Sequence, residues 1–539
     1  MGETIQPNTY MRGQDPVPGA HTTRGSSSHR RDTATVRFPV RIAAAVLAGA
    51  TLFTAGCSAG STATQLGRIA DANAIVVALA AAPASLDFTT TAGAAVPQAM
   101  MGNIYEGLVR IDDDANIQPL LAERWDISPD GRVYTFHLRQ GVTFSNGDPF
   151  NAQAAKFSID RVQSDAWTNG LKKQMEPVES TRVIDEHTLE VTLKEKNTAW
   201  LWNMGTLIGA MFSPTGIDDL ANTPIGTGPY VVDSWAVGQS LIFTAREDYW
   251  GEKPKNSAAA LRYFADPVGA SNALQSGDVD VIYSLQSPQL MDELKATGKY
   301  TIEVGTTNGE VILSMNPRRA PFNDIRVRQA VMYAINRQDV IDTAWDGYGT
   351  DTGGAPVPPT DPWYEESTRY PYDPDKAREL LKQAGIPEGY EVTISVPSLA
   401  YAQAASEMIV SQLNDVGLKV SIESTEFPAV WLSKVYKGHD FDMSIVAHVE
   451  ARDIPAMFGN PEYYIGYDNP KVQQLLKQAG ESDEVGNMKA AVDQIMEDAA
   501  ADTLFNLPNI VVTDPGITGV DANSVVQELK LATMEKKDK

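Results

Sequence analysis

From Ile75 onward the chain alternates short β-branched runs with capped, apolar-striped stretches, and this alternation limits the fold more than any other feature. Residues 75–79, 133–138, 392–396, 418–422 and 441–447 have the composition or the two-residue period of strands. Between them lie helices with readable ends. Asn151 caps a run through Ala154, Ala155, Phe157, Ser158 and Val162, and Asp324 precedes a stripe of Ala330, Val331, Ala334 and Ile335. Asp266-Pro267 opens a helix that stops at Gly277, and Asp373-Pro374 opens one that ends at Gly385. In each pair the carboxylate accepts an orphan N–H and the proline has none to lose. Helices are also expected over 98–108, 402–416 and 428–436, and a hairpin over 181–184 and 188–193. Strands alternating with helices build α/β lobes whose sheets are covered by helices. A chain of 539 residues exceeds what one core supports, so several lobes are expected, and no short repeat points to a solenoid.

The chain carries 69 acidic against 44 basic residues, a formal charge of −25, which repels phosphate backbones and excludes a general nucleic-acid binder. A single cysteine, Cys57, excludes intrachain disulfides and cysteine-based metal centres. No G-x-S-x-G elbow, H-E-x-x-H or P-loop is present, and the six histidines form no metal-spaced pair. No catalytic residue, metal or cofactor is therefore expected. Asp112-Asp-Asp-Ala-Asn-Ile-Gln118 partly matches a calcium loop, but Ile117 stands where that loop needs glycine, so a solvated hairpin turn is expected.

Residues 1–41 are polar and basic. An uncharged apolar stretch, 42–55, follows and ends in Thr54-Ala55-Gly56-Cys57. Basic region, short apolar run and small residues form the layout of a bacterial secretory signal. The final tetrapeptide resembles the lipobox of bacterial lipoproteins, with Thr54 in place of the usual leucine. The expectation is a leader over 1–56, lipidation at Cys57 and a polar tether over 57–69.

An ordered set of motifs spans most of the remainder: Asn103-Ile-Tyr-Glu-Gly-Leu-Val109, Pro119-Leu-Leu-Ala-Glu-Arg-Trp125, Ser128-Pro-Asp-Gly131, Asn146-Gly-Asp-Pro-Phe150, Gly226-Thr-Gly-Pro-Tyr230 and Asp324 through Arg337. Together these resemble solute-binding protein family 5 of ABC importers, the oligopeptide-, dipeptide- and nickel-binding group. The resemblance implies an α/β, two-lobed periplasmic-binding-protein-like fold (type II, cluster C) with a subdomain inserted in the first lobe. It places lobe I at 70–100, 220–312 and 501–539, the inserted subdomain at 101–219, and lobe II at 313–500. It further implies a monomer without enzymatic activity at the extracytoplasmic face of the membrane. Such a protein closes over an oligopeptide by hinge rotation and passes it to an ABC permease and its ATPase subunits. A nickel chelate, haem or an oligosaccharide are alternative solutes within the family. A secreted glycoside hydrolase and a peptide-binding lipoprotein chaperone are readings outside it.

In peptide-binding members the ligand lies extended and pairs its backbone with protein strands. The corresponding second-lobe stretch here runs from Phe441 to Phe458. The family's tryptophan falls at His448, and the aspartate that meets the peptide ammonium falls at Ala451, between Glu450 and Asp453. A buried ammonium needs a counter-charge. Glu450 is the first substitute and Asp453 the second, unless Glu450 instead pairs Arg452 or Arg139. Ala447 and Val449 offer backbone pairing or are ordinary strand. His448, Leu86, Phe88 and Tyr105 line the cleft or belong to the core. Tyr463, Tyr464 and Tyr467 form a cleft wall or pack a loop.

Overall fold

The computed structural model describes residues 73–91 and 93–537. The expected leader, Cys57 and the tether lie outside the described residues. Ten strands form one mixed sheet: β1 (Ala74–Leu79), β2 (Tyr230–Ala236), β3 (Ser240–Ala245), β4 (Ala258–Tyr263), β5 (Val281–Ile282), β6 (Thr301–Met315), β7 (Tyr390–Pro397), β8 (Leu418–Thr425), β9 (Met443–His448) and β10 (Ala501–Thr513). Their spatial order is β8-β7-β9-β6-β10-β5-β1-β4-β3-β2. β1 runs parallel to β4 and β5, and β7 parallel to β8 and β9, so each half of the sheet has a parallel centre.

The long antiparallel strands β6 and β10 join the two halves. Their pairing is interrupted between Thr306 and Glu310, where the register shifts. Asn308 occupies this interruption and turns its side chain to Val525 and Thr360. An interruption of this kind is where a ladder bends most readily.

Side chains alternate across the sheet as the two-residue period demands. Val311, Leu313 and Met315 of β6 enter one core with Met443 and Ile445 of β9, while Ile312 and Val446 enter another. Helices Ile325–Ala334 and Ala400–Asp415 cover the first of these faces, and helices Pro470–Glu481 and Glu484–Glu497 the second. In the other half Ile75, Val77 and Leu79 join a third core, shared with a separate four-stranded antiparallel sheet built from Ala122–Ile127, Val133–Leu138, Val178–Asp185 and Thr188–Leu193.

The predicted caps form. The Asn151 side chain accepts from Gln153 and Ala154 at 3.0 and 3.1 Å, and the carboxylates of Asp266, Asp324 and Asp373 each accept a first-turn N–H. Arg337, the end of the Asp324 motif, is buried and pairs with Asp502 of β10 at 2.8 Å. Arg328 donates to the carbonyls of Asp498 and Ala499, tying its helix to the one before β10.

One expected helix is corrected. Over 98–108 only the end of Ala95–Met100 is helical. At Gly102 the chain takes a φ of +70°, and the Asn103 side chain then bonds the backbone of Leu529 and Leu531. Those long-range bonds need Asn103 in a turn, and they override the helical apolar spacing. The Gly226-Thr-Gly-Pro motif packs directly on this turn. A Cβ at Gly226 would fall 1.9 Å from the Ile104 carbonyl oxygen, so only glycine permits the approach. Asp112 closes the hairpin of Val109–Ile111 and Ile117–Pro119 by accepting from the amides of Asp114 and Asn116 and from Gln118.

Candidate functional site

A cavity of about 430 Å³ lies where distant segments converge on the interruption in β6. Pro97, Met101, Leu171, Trp202 and Leu207 give it apolar walls, and Val449, Glu450 and Ala451 close it from the end of β9. Asn308 and Glu528 add polar atoms. The side chain of Glu528 lies over Gly102, whose Cβ would sit 1.8 Å from Oε1, and burial pushes its carboxyl above the usual range.

β9 positions the acidic side of the site. Its last residue, His448, lies opposite Glu310 of β6, and the chain then leaves the sheet. His448 is buried, its ring stacked on Tyr464 at 5.8 Å with Nε2 2.9 Å from the Tyr464 hydroxyl. Nδ1 is 3.5 Å from the Tyr463 hydroxyl. Burial pushes the imidazole down to about 4, so it is neutral at neutral pH. His448, Glu450 and Asp453 each offer a donor atom, all within 4.8 Å of one another. Burial, reinforced by Glu450 and Asp361, holds the Asp453 carboxyl well above its ordinary range. Glu310 is raised by burial and by Asp453 and Asp361. Its Oε1 has no hydrogen-bond donor among the described residues, and neither has Oδ2 of Asp361, a carboxyl that burial pushes up to about 7.

Arg452 serves a different part of this cluster. It pairs with Glu484 at 3.6 Å, and its guanidinium lies 4.3 Å from the ring centre of Trp202 and 5.1 Å from that of Trp363. Trp202 belongs to the helix Thr198–Asn203 and Trp363 to the segment after Trp345, so one cation bridges two remote parts of the chain. Thr198 to the Ala479 carbonyl at 2.9 Å and Gln527 to the Val449 carbonyl at 3.1 Å add polar contacts across the same gap.

Of the expected site residues, Glu450 and Val449 line the cavity, with His448 and Asp453 beside them. Ala447 is paired with Val311 in the sheet, and its N–H donates to the Tyr401 hydroxyl. Leu86, Phe88 and Tyr105 are fully buried and do not line this cavity; Phe88 and Tyr105 pack with Phe212, and Phe88 also meets Trp167. Glu450 forms no ion pair with Arg452 or Arg139, which meet Glu484 and Glu123. Tyr463 and Tyr464 surround His448, whereas Tyr467 donates to Asp498. Trp202, Asn308, Gln527 and Glu528 were not among the residues expected from sequence.

Two α/β halves joined by paired crossing strands, with a cavity at the crossing, define a two-lobed solute-binding protein. The model of the bacterial extracellular solute-binding proteins, family 5, middle region, matches residues 116–458, and the chain belongs to that family. The glutathione-binding protein GsiB of Salmonella typhi is 33% identical over 338 residues, 61% of this chain and 65% of that protein. The match therefore spans less than two thirds of that relative's length. The periplasmic binding protein DppA from Helicobacter pylori, solved with the peptide STSA, is 26% identical with a TM-score of 0.74, covering 86% of this chain and 98% of that one. The substrate-binding protein CtaP from Listeria monocytogenes shares the fold, with a TM-score of 0.78 at 18% identity, over 86% of this chain and 99% of that one. The family consists of extracellular binding proteins. No helix among the described residues is long and apolar enough to cross a membrane.

Proposed function

We propose that this protein captures a short peptide between its lobes and hands it unaltered to an ABC permease. The carrying observation is the cavity itself: apolar walls from one side, and Glu450 from the other, beside the buried carboxyls of Glu310 and Asp361, each with an oxygen that has no hydrogen-bond donor among the described residues. About 430 Å³ is in the range of a small-molecule pocket, and suits a few residues better than a long chain. The peptide ammonium sits at Glu450, with Asp453 behind it, and its side chains meet Met101, Leu171, Trp202 and Leu207. The Trp202–Arg452–Trp363 stack holds the closed arrangement, and bending occurs at the interruption of β6 and β10. Lobe I comprises 70–100, 220–312 and 501–539, the inserted subdomain 101–219, and lobe II 313–500. A glutathione-binding relative and a peptide-bound neighbour support a peptide-like solute.

Calorimetry with di- and tripeptides tests this reading. Glu450→Gln should weaken free-amine peptides by about 1–3 kcal/mol, the worth of a charge-assisted bond, and N-acetylation should do the same to wild type. Unchanged affinity in both cases would remove the ammonium from Glu450. The protein works as a monomer anchored through a lipid on Cys57. Cys57→Ser should move it from the membrane fraction to the soluble one without altering peptide affinity, and retention of the variant on membranes would refute the anchor.

A further inference from the structure

Two carboxylates from remote segments line the cavity: Glu450, just after β9, and Glu528, near the C-terminus. Among the described residues no lysine, arginine or histidine lines it with them. A single peptide ammonium at Glu450 leaves Glu528 unused, yet the fold places Glu528 with care. Before it, the Val525 carbonyl accepts from the Asn308 side chain; after it, the Leu529 carbonyl accepts from the Asn103 side chain at 2.8 Å. Between these anchors Gln527 bonds the Val449 carbonyl, which draws the C-terminal segment against the chain that carries Glu450. The carboxylate itself rests over Gly102, in space that a Cβ there would fill.

So placed, Glu528 has no partner in the protein. No donor among the described residues bonds its oxygens, and burial raises its carboxyl against the pull of Lys530 and Arg110. Neither of those cations forms an ion pair with it, and Lys530 is taken by Asp113 at 2.5 Å. Glu450 is not among the charges that act on Glu528, so the two carboxylates are separate anchors. A carboxylate drawn from water without a donor or a cation loses solvation that nothing in the protein returns.

We propose that Glu528 is a specificity-determining residue, which takes the cationic side chain of a peptide whose terminal ammonium lies at Glu450. The preferred solute then carries two positive charges. Lysine and arginine bear their charge at the end of an apolar stem. Met101, an apolar wall residue next to Gly102, lies where such a stem must pass to reach Glu528. With no cation in the wall, a peptide carboxylate gains nothing from it, so a C-terminal amide serves as well as the free acid. The inference rests on the peptide reading above and names which peptides it concerns.

Calorimetry on the full-length protein tests it with tripeptides of alanine in which one residue is lysine or norleucine, whose stem is similar and uncharged. The variable residue is moved through all three positions. In at least one position lysine should bind roughly ten-fold more tightly than norleucine, the worth of a charge-assisted bond. Glu528→Gln should bring that ratio to within two-fold of one, whereas Glu528→Asp, which keeps the charge, should retain a preference. Equal affinity of lysine and norleucine peptides at every position would overturn the assignment without recourse to any variant, and so would a preference that survives Glu528→Gln. Cadaverine, two ammonium groups on an alkyl chain, should bind at least ten-fold more weakly than the best lysine peptide; equal affinity would overturn the peptide side chain as the source of the second charge. A free acid that binds ten-fold more tightly than its amide would overturn the reading of the wall as lacking a cation. The two readings fail differently: if neither lysine nor norleucine peptides bind, the peptide reading falls and takes this one with it, whereas equal binding of both removes Glu528 alone.

Discussion

Glu106 and Glu310 are both buried glutamates, 3% and 1% exposed, yet the protein treats them in opposite ways. Glu106 receives hydrogen bonds from the Thr227 hydroxyl at 2.8 Å, the Tyr249 hydroxyl at 2.7 Å and the Trp250 indole at 2.9 Å. Three neutral donors, all from residues 227–250, dissipate its charge inside the molecule. Among the described residues, Glu310 has an oxygen without a donor, and its charged neighbours are Asp453 and Asp361. A carboxylate satisfied by its own fold is architecture, because leaving it unpaired would forfeit free energy that a domain can ill spare. A buried carboxyl oxygen left without a donor calls for an explanation, and a water or an ion is one. The contrast separates a carboxylate that the fold satisfies from one that it leaves open, and each side of it can be attacked.

The largest effect is expected at Glu106. Glu106→Ala strands three donors, Thr227 buried and Tyr249 and Trp250 half-buried, and opens a cavity, which should destabilise the protein by about 3–5 kcal/mol in urea unfolding. A change below about 0.5 kcal/mol would mean that the three bonds contribute nothing net. The same carboxyl has a pH signature. Burial pushes it from 4.5 up to about 7 against the opposing pull of its three donors. The folded state therefore holds the proton more tightly than the unfolded chain. The stability it contributes is fully present below pH 4.5 and is lost as pH rises through 7, by about 3 kcal/mol. Asp361, also raised to about 7, adds a slope of the same sign, so the diagnostic quantity is the difference between wild type and Glu106→Gln. The variant should show a flatter decline between pH 5 and 7.5, and parallel curves would place the Glu106 proton elsewhere.

The contrast also shows why some of the molecule was legible in sequence and some was not. Strands and caps announce themselves through local rules, so Asn151, Asp266, Asp324 and Asp373 begin helices as expected. The family motifs were readable as a set, and the structure shows what two of them do. Asn103 through Val109 and Gly226 through Tyr230 dock on each other around Glu106, which makes them lobe-building residues. The same docking defeated the helix expected over 98–108, since a contact with Leu529 cannot be seen in a local window. At the candidate site, Glu450 and Val449 were reached through the family resemblance, which sets the peptide-binding segment at the end of this buried strand. Leu86, Phe88 and Tyr105 were ambiguous: aromatic and apolar residues serve a core and a peptide pocket equally well, and only packing decides. Trp202, Asn308 and Glu528 carried no local signal, because they meet only through the crossing of β6 and β10. A tryptophan in a short helix and an asparagine inside a strand look like structural residues until the chain is folded.

The smallest effect, and the one that tests the other half of the contrast, is expected at Glu310. Glutamine has the shape of a protonated carboxyl and carries no charge. Because burial, Asp453 and Asp361 raise the Glu310 carboxyl well above its ordinary range, folding above pH 4.5 must either neutralise it or bury its charge beside two other acids. Glu310→Gln removes that requirement, so in EDTA at pH 8 it should stabilise the protein by about 1 kcal/mol, the opposite sign to Glu106→Ala. The gain should vanish toward pH 4, where the carboxyl is protonated in folded and unfolded chains alike. A substitution that instead destabilises at pH 8 would show that Glu310 already has a partner in solution, and the two buried glutamates would then be alike. Gain and loss are both read from the same urea midpoints, so the signs can be compared directly, and opposite signs are what a self-contained carboxylate and one that the fold leaves open must give.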